Sequence, residues 1–484
     1  MGIEPMWKDL QSFASATRPR RQQPPGCPEL RRQHDSGRCP QPAQSLPDLT
    51  SGPRSCHDRA MRRLQFLTPI VALVFIGSAC SSAGSSTAAT TTPKTTAPTT
   101  TAPATTAAST TTAAPTTTAP TTTVDAATAA MAYTEAGPYP VGVTTLTMKS
   151  GVKVEVWYPA VAGSKGTETY DIKEFTPAAL TALIKGNTPT TFSYSATRDA
   201  AVADGKYPVV LFSHGFLGWR SYATILTAHL ASWGMVVAAP DHKSRDLPHL
   251  LEVMGATKRP ADTSTQELLG ALDLLTAQSA DATSRLHDHV DTTKVATMGH
   301  SAGGGTAWHA ALDPRVSGYV MLATGAIGLG GGAAAGGTTT TTTAPKLPDK
   351  PSLYVAGSAD SVVPAAKVSQ PSFDASPAPS AYWLIDGAGH HAFDDICLVG
   401  NGLGIIGVAE KAGLKGFLDS TAGIRKLGDD GCHPPAAPVK DTTPVVRHSV
   451  TAWLRYLLGI DAQPVGLDAS VESHYATGVH VTTK

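Results

Sequence analysis

The sequence has no excess of charge of either sign. Its 38 Lys and Arg residues equal its 38 Asp and Glu residues, and only 16% of the chain is charged. If the mature chain began at Cys80, 27 basic and 32 acidic residues would remain, a net charge of about −5. Proteins that bind nucleic acid usually carry a basic patch or stripe. The composition therefore predicts no nucleic-acid partner.

Cysteine is scarce, with six residues in 484. Three lie within the first 60 residues, at spacings that fit no familiar zinc-ligand pattern, so we predict no metal site. After Cys80 only Cys397 and Cys432 remain, and such a pair can form a disulfide outside the cytoplasm.

The N-terminal part lacks an apolar run long enough to favour a membrane-spanning helix. After Arg62 and Arg63, the run from Leu64 to Ile76 is followed by small residues and then Cys80, the order of a secretory signal. Small residues directly before a cysteine resemble a bacterial lipobox, although Gly77 stands where Leu is usual. We expect a lipoprotein signal at residues 61–79 and lipidation of Cys80. Ordinary secretion and an uncleaved anchor remain alternatives.

Two further stretches lack the side chains that a core needs. Residues 1–60 have almost no apolar periodicity and are expected to be disordered or untranslated. The Thr, Ala and Pro tract at residues 85–123 offers no large apolar side chains, so residues 80–136 are predicted to form an extended tether. The folded domain is predicted at residues 137–460, with residues 461–484 as a tail.

Short apolar runs alternate with helical patterns through this domain. Eight strands are predicted at Gly142–Met148, Val152–Tyr158, Pro208–Phe212, Met235–Ala239, Lys294–Met298, Val316–Ala323, Ser352–Ala356 and Tyr382–Ile385. Helices are predicted at Arg220–Trp233, after a capping box at Ser264, and from Thr443 to a stop at Gly459. This alternation predicts an α/β fold with a mostly parallel central sheet and helices on both faces.

Residues 325–348 interrupt this alternation with a Gly-, Ala- and Thr-rich insertion. Its glycines do not indicate a dinucleotide site, because no helix or acidic partner follows them in a strand–helix–strand context. We predict a flexible insertion and no cofactor.

The strongest motif is Gly299-His300-Ser301-Ala302-Gly303, which joins an apolar strand to an Ala-rich helical stretch. A serine on such a sharp turn projects above the sheet, and its flanking glycines avoid clashes with the strand and helix. The motif can occur by chance in a glycine-rich chain, but its position favours Ser301 as a nucleophile.

An earlier strand ends at Ser213-His214-Gly215-Phe216, just before a helix. In acyl transfer the tetrahedral oxyanion needs preorganised donors, and we assign these to the backbone N–H groups of Phe216 and Ala302. The side chains of Phe216 and Trp219 are candidates to line an acyl pocket.

The candidate acid is Asp360, in the loop after the strand at Ser352–Ala356. The chain order Ser, Asp, His favours it, whereas Asp394 and Asp395 lie too close to the candidate base to come from a separate strand. Its role would be to orient and stabilise an imidazolium. An aspartate that merely shapes the turn is the alternative.

Two adjacent histidines follow the last predicted strand. The preceding Gly389 and the following Phe393 favour His390 as the base, and His391 is expected to cap the loop or face solvent. The base must come within about 2.6 to 3.2 Å of the serine hydroxyl, a distance that the sequence cannot give.

With these motifs, residues 137–459 resemble the platelet-activating-factor acetylhydrolase and dienelactone-hydrolase-like branch of α/β-hydrolases, and also bacterial cutinase-type polyester hydrolases. The matching segments include Gly137-Pro138-Tyr139-Pro140-Val141-Gly142 and Val156-Trp157-Tyr158-Pro159 besides the motifs above. The resemblance implies an α/β-hydrolase fold and metal-free ester hydrolysis. About 50 residues separate His390 from the last helix, longer than this pattern leads us to expect.

The sequence thus predicts an extracytoplasmic serine carboxylic ester hydrolase that acts through an acyl-enzyme on short to medium acyl esters, lipids or polyesters. We expect a monomer that contacts the membrane only through its lipid anchor. A cell-envelope acyltransferase and a non-catalytic binding lipoprotein on the same fold are the alternatives.

Overall fold

The apolar runs of the domain become the strands of one large sheet. A computed structural model of the chain describes residues 126–255, 261–327 and 346–484. All eight predicted strands are present, with ends that differ by a few residues from the prediction. They lie in a ten-stranded sheet with strands β1 Val141–Thr147, β2 Lys153–Pro159, β5 Thr197–Arg198, β6 Tyr207–Ser213, β7 Val236–Pro240, β8 Val290–His300, β9 Val316–Leu322, β10 Ser352–Gly357, β11 Ser380–Ile385 and β12 Val479–Thr483.

The spatial order of the sheet is β12-β11-β10-β9-β8-β6-β7-β2-β1-β5. The six central strands from β11 to β7 pair in parallel. Strands β2 and β12 pair antiparallel with their neighbours on either side of this core. The carboxyl ends of the parallel strands therefore meet at one edge, where α/β proteins usually place their sites.

Helices cover the sheet. The α-helices are α1 Ala126–Ala130, α2 Ala178–Thr181, α3 Thr224–Ser232, α4 Leu250–Gly255, α5 Ser264–Ala280, α6 Ala302–Ala310, α7 Ser369–Ala375, α8 Val399–Gly402, α9 Gly404–Lys411, α10 Lys415–Ser420, α11 Ala422–Asp429 and α12 Val439–Leu457. Short 3₁₀ helices lie at Met131–Thr134, Ile172–Phe175, Leu247–His249, Ala365–Lys367, His390–Phe393 and Ala469–His474.

Two apolar clusters show that both faces of the sheet are buried. Successive residues of β6 point to opposite faces, with Phe212 in one cluster and Leu211 in the other. Helices α3 and α12 pack on the first face, and α5, α6 and α7 pack on the second. The structure thus has the mostly parallel sheet, covered on both faces, that the sequence predicts.

Several boundaries differ from the prediction. Residues 479–483, assigned to a tail, form the edge strand β12 because their backbone pairs with β11. Residues 126–134, assigned to the tether, form α1 and a 3₁₀ turn whose Tyr133 is buried against the domain. The last helix begins at Val439 rather than near Thr443, so Pro444 lies inside it.

A small hairpin was missed by the sequence analysis. Strands β3 Thr167–Asp171 and β4 Thr191–Ser195 pair antiparallel as a separate two-stranded sheet. Their side chains alternate between exposed and half-buried positions, and only one of the ten is fully buried. Without a continuous apolar run, neither strand gives a strong signal in the sequence.

The long segment between the candidate base and the last helix folds into helices α8 to α11. It is closed at its base by a disulfide between Cys397 and Cys432. We name residues 397–432 the cap. Helix α9 packs Val408 into the first apolar cluster of the domain.

Several predictions fall outside the described residues. These are the extension at 1–60, the signal at 61–79, Cys80, the tether up to residue 125 and residues 328–345 of the Gly-rich insertion. Among the residues that the structure does describe, none of the helices combines the length and apolar character needed to cross a membrane.

Candidate active site

Ser301 lies on the sharp turn between β8 and α6. Its backbone angles are φ 54° and ψ −123°, a conformation that non-glycine residues rarely adopt. A Cβ on Gly299 would lie 2.1 Å from the carbonyl oxygen of Gly303, and one on Gly303 would lie 1.9 Å from that of Ser213. Both glycines are therefore required by backbone contacts. The turn holds Ser301 at the edge where the parallel strands end.

Ser301, His390 and Asp360 come together in a hydrogen-bonded chain. The Oγ of Ser301 lies 2.9 Å from Nε2 of His390, and Nδ1 of His390 lies 2.8 Å from Oδ2 of Asp360. These side chains follow β8, β11 and β10 respectively. The geometry is that of a nucleophile, a base and an orienting acid.

The second oxygen of Asp360 fixes the carboxylate in place. Its Oδ1 accepts hydrogen bonds from the backbone N–H groups of Val362 at 2.9 Å and Val363 at 2.7 Å. Because a carboxylate only accepts, Nδ1 of His390 must donate to Oδ2, which leaves Nε2 free to accept the proton of Ser301. Asp360 thereby sets the tautomer that a base needs.

The loop that carries His390 is held by Asp430 of the cap. Oδ1 of Asp430 accepts a hydrogen bond from the backbone N–H of His390 at 2.7 Å, and Oδ2 accepts from the backbone N–H of Ser361 at 3.2 Å. The carbonyl oxygen of Asp430 also accepts from the N–H of His391 at 3.0 Å. One carboxylate thus joins the loops of the acid and the base. The position of Asp430 in the sequence does not indicate this role.

His391 is buried, which contradicts the solvent-facing alternative but not the expectation that it caps the loop. Its Nδ1 lies 2.8 Å from Oδ2 of Asp394, and its Nε2 donates to the carbonyl oxygen of Leu427 at 2.6 Å. Burial lowers the pKa of His391, but the charge and hydrogen bond of Asp394 outweigh it and leave the pKa raised. Through these two hydrogen bonds His391 ties the base loop to the cap.

The other two carboxylates of this loop have structural roles. Asp394 also accepts from the backbone N–H of Ile396 at 2.9 Å, besides its pairing with His391. Asp395 accepts from the backbone N–H groups of Thr224 at 2.7 Å and Ile225 at 2.9 Å, and so caps helix α3. Burial raises the pKa of Asp395 to about 7. Neither is hydrogen-bonded to His390.

The candidate oxyanion donors flank the nucleophile. Within the described residues, the backbone N–H groups of Phe216 and Ala302 have no hydrogen-bond acceptor. A Cβ built on Gly215 would lie 3.3 Å from Cβ of Ser301, so the loop that carries Phe216 passes directly beside the serine. Two unpaired donors next to a nucleophile are suited to bind an oxyanion.

A buried chain of polar groups fixes this loop against the serine turn. Tyr222 Oη accepts from the backbone N–H of Gly215 at 2.7 Å and donates to Nδ1 of His300 at 2.6 Å. Nε2 of His300 donates to the carbonyl oxygen of His390 at 2.9 Å. Burial and the neighbouring His390 lower the pKa of His300 to about 3, so His300 is neutral. His300, inside the Gly-x-Ser-x-Gly motif, therefore connects the serine turn to the loop that carries Phe216 through Tyr222 and to the loop that carries His390 directly.

Arg245 holds the oxyanion loop, residues 213–217, through hydrogen bonds. Its guanidinium donates to the carbonyl oxygen of His214 at 3.0 Å and to Oγ of Ser213 at 2.7 Å. The carbonyl oxygen of Arg245 accepts from the N–H of Leu217 at 2.7 Å. Burial lowers the pKa of Arg245 to about 10. Because this value is still well above 7, the guanidinium is charged at neutral pH. A lone arginine in a loop gave no signal in the sequence.

Of the two aromatic candidates for an acyl pocket, Phe216 and Trp219, only Phe216 lines a cavity. Phe216 lines an apolar cavity beside the site. Trp219 does not; it is fully buried and stacks on Phe175 with ring centroids 5.6 Å apart. The assignment of Trp219 to the pocket is therefore wrong, because the indole packs into the core beneath the loop.

Cys397 and Cys432 form the disulfide that the sequence allows, at the base of the cap. Within the described residues, no three His, Cys, Asp or Glu side chains converge in a way that could hold a metal ion.

Comparison with known proteins agrees with this geometry. A family described as PET hydrolase-like matches residues 187–437, just over half of the chain. Cutinase est2 of Thermobifida alba is 26% identical over 189 residues, which cover 38% of this chain and 53% of that protein. Bis(hydroxyethyl) terephthalate hydrolase of Streptomyces coelicolor is 25% identical over 193 residues, which cover 39% and 52%.

A plant protein, chlorophyllase-2 of Arabidopsis thaliana, is 32% identical over 111 residues, which cover 23% of this chain and 31% of that protein. The chain thus matches about half the length of the first two relatives and less of the third. The family match spans β6 to β11, with the serine turn, the acid loop and the base loop, and continues through the cap. The chain belongs to the PET hydrolase-like family of α/β-hydrolases.

Proposed function

We propose that this protein is a serine carboxylic ester hydrolase that acts through an acyl-enzyme. The observation that carries the proposal is the chain from Ser301 Oγ to His390 Nε2 at 2.9 Å and from His390 Nδ1 to Asp360 at 2.8 Å. The unpaired N–H groups of Phe216 and Ala302 beside the serine supply the oxyanion donors that acyl transfer needs.

In the first half-reaction, Ser301 Oγ attacks the ester carbonyl carbon while Nε2 of His390 takes the hydroxyl proton. The carbonyl π electrons move to its oxygen, and the N–H groups of Phe216 and Ala302 hold the resulting oxyanion. Asp360 stabilises the imidazolium without accepting its proton. The tetrahedral intermediate then collapses, the alkoxy group leaves with the proton from His390, and the acyl group remains on Ser301.

In the second half-reaction, His390 deprotonates a water molecule that attacks the acyl carbon. The same two N–H groups hold the second oxyanion. Collapse breaks the bond to Ser301 Oγ, which regains its proton from His390, and the free carboxylic acid leaves. The triad returns to its starting state, so no co-reactant other than water is needed.

The relatives support this class of reaction. A cutinase and a bis(hydroxyethyl) terephthalate hydrolase both match the chain at about one quarter identity. Because the chain covers only about half of each, these names support ester hydrolysis in general rather than a particular substrate.

The test is hydrolysis of p-nitrophenyl esters by wild type, Ser301→Ala and the matched control Ser195→Ala, which changes an exposed serine in β4. We expect wild type and the control to be active and S301A to lose activity while it stays folded. A fluorophosphonate probe is expected to label Ser301 alone, read by intact mass. A folded wild type that neither labels nor turns over any ester would refute the proposal.

We also propose that the protein works outside the cytoplasm as a monomer, anchored through lipid on Cys80. The support is the sequence pattern before Cys80 and the presence of a disulfide between Cys397 and Cys432. Mass spectrometry of the mature N-terminus is expected to find a lipid-modified Cys80. An N-terminus upstream of Cys80, or an unmodified Cys80, would contradict the anchor.

A further inference from the structure

A large apolar cavity lies beside the candidate active site, between the cap and the body of the domain. Its empty volume is about 890 Å³, part of which opens to solvent. On the domain side it is lined by Phe216, Leu217, Leu247 and Leu250, and on the cap side by Ile405, Ala409, Leu414, Phe417 and Ile424 among others.

Two contacts place this cavity next to the chemistry. Phe216 lines the cavity, and its backbone N–H is one of the two candidate oxyanion donors. His391 lines the cavity and directly follows the base, His390. The cavity is therefore lined by one residue that carries a candidate oxyanion donor and by the residue that follows the base in the chain.

The polar groups of the lining are already occupied. Both ring nitrogens of His391 are engaged, one with Asp394 and the other with the carbonyl oxygen of Leu427. The hydroxyl of Thr176 donates to the carbonyl oxygen of Ile172 at 2.8 Å. Because these side chains have partners and the rest of the lining side chains are apolar, the cavity favours a hydrocarbon over a polar or charged ligand.

The two halves of an ester place different demands on such a cavity. The acyl group stays attached to the reacting carbon through both half-reactions, whereas the alkoxy group must leave so that water can take its place. A cavity roofed by the cap suits the part that stays. We propose that the cavity binds the acyl chain and that the enzyme selects esters of aliphatic acids longer than acetate, a selectivity that rests on the proposed ester hydrolase function.

In this proposal the cap selects the acyl chain length of the substrate. Helices α9 to α11 supply its side of the cavity, the disulfide between Cys397 and Cys432 closes its base, and Asp430 joins its end to the base loop. The chain length that fits is then set by side chains such as Ala409 in α9, which are not part of the triad.

The first experiment measures kcat/KM of wild type on p-nitrophenyl esters from acetate to dodecanoate. Burial of each methylene is expected to raise kcat/KM by about fourfold until the cavity is filled. A parallel series of alkyl acetates, which varies the alkoxy group instead, is expected to show a much weaker dependence on length. Highest kcat/KM on acetate, or length dependence confined to the alkyl acetates, would overturn the assignment.

The second experiment fills the cavity. Ala409→Phe is expected to shift the preferred acyl length to shorter esters, whereas Lys411→Phe, with the same ring on an exposed position of the same helix, is expected to leave the profile of wild type. The folded state of each variant is checked by its melting temperature. Phe417→Ala, which removes a lining side chain, is expected to raise KM for octanoate more than for acetate and serves if A409F does not fold.

Three outcomes distinguish a failure of the acyl-chain assignment from a failure of the proposed ester hydrolase function. If wild type hydrolyses esters and labels at Ser301, but folded A409F keeps the wild-type length profile, the function stands and the acyl assignment is wrong. If bis(hydroxyethyl) terephthalate is turned over with higher kcat/KM than every aliphatic ester, the aliphatic assignment is likewise wrong. If no ester is hydrolysed and Ser301 is not labelled, the function itself fails.

Discussion

Asp430 joins the cap to the triad through hydrogen bonds alone. Its carboxylate accepts from the backbone N–H groups of His390 and Ser361. An amide in its place would direct a donor at one of these N–H groups and loosen the base loop. We expect Asp430→Asn to lower kcat by about ten- to a hundredfold, because small displacements of a base are costly. KM should change little, since Asp430 does not line the cavity.

The matched control is Asp429→Asn. Asp429 is the adjacent carboxylate at the end of α11, and its side chain pairs with the exposed His433 rather than with the catalytic loops. It should therefore keep the kinetics of wild type. A D430N variant with unchanged kcat, or one in which only KM rises, would show that Asp430 does not position the base.

Two glycines of helix α6, Gly303 and Gly305, differ in how closely other atoms approach them. A Cβ at Gly303 would meet the backbone oxygen of Ser213, which cannot move without shifting β6, whereas a Cβ at Gly305 would meet nothing within 4 Å. We expect Gly303→Ala to destabilise the fold by about 3 kcal/mol or more and to abolish activity.

Gly305→Ala is expected to raise the free energy of unfolding instead of lowering it. Alanine replaces glycine in a helix interior without a clash, which stabilises by about 0.5 to 1 kcal/mol. Urea unfolding of the two variants beside wild type gives both free energies. Equal stability of G303A and G305A would contradict the close contact at Gly303.

The cap is an element of its own, closed by a disulfide 35 residues apart in sequence. A loop of this length restricts the unfolded chain, so the double variant Cys397→Ser, Cys432→Ser is expected to lose about 2 to 4 kcal/mol. The measurement is urea unfolding, with wild type reduced by dithiothreitol as the comparison. Two free thiols in the native protein by mass analysis would contradict the disulfide itself.

Buried neutral histidines make the whole molecule sensitive to acid. Burial lowers the pKa of five described histidines: His229 and His300 to about 3, His448 to about 4, and His214 and His242 well below the usual value. Because histidine in an unfolded chain has a pKa near 6.5, the unfolded state binds more protons as pH falls from about 6.5 toward 4. Because these protons bind the unfolded state and not the folded state, the free energy of unfolding falls over that range.

Two buried carboxyls act in the opposite direction. Burial raises the pKa of Asp246 to about 6 and that of Asp395 to about 7, so the folded state holds these protons below those values. His391, whose pKa is raised, acts in the same direction as these two carboxyls. The five histidines outnumber these three groups, and we expect the melting temperature to fall between pH 7 and pH 4.5. Calorimetry at constant ionic strength measures this, and His229→Gln should make the dependence shallower. A melting temperature that stays constant or rises on acidification would contradict the prediction.

The sequence alone determined the central architecture and the three residues of the triad. Each of these is a local signal: an apolar run for a strand, a glycine-flanked serine for a sharp turn, and an Asp or His in the loop after a strand. Since parallel strands end at one edge of the sheet, the chain order was enough to predict that Ser301, Asp360 and His390 meet.

How the site is supported and enclosed depends on contacts between distant segments. Asp430 lies 40 residues from the His390 N–H that it holds, and nothing near it in the sequence marks that contact. The burial of His391 and of Trp219 depends on elements distant in the chain, namely the cap and the turn at Phe175, so the sequence does not reveal it. Strand β12 forms only because β11 offers it an edge. Local pattern fixes conformation and residue type, whereas cavities, buried ion pairs and edge strands arise from contacts between segments that the sequence does not link.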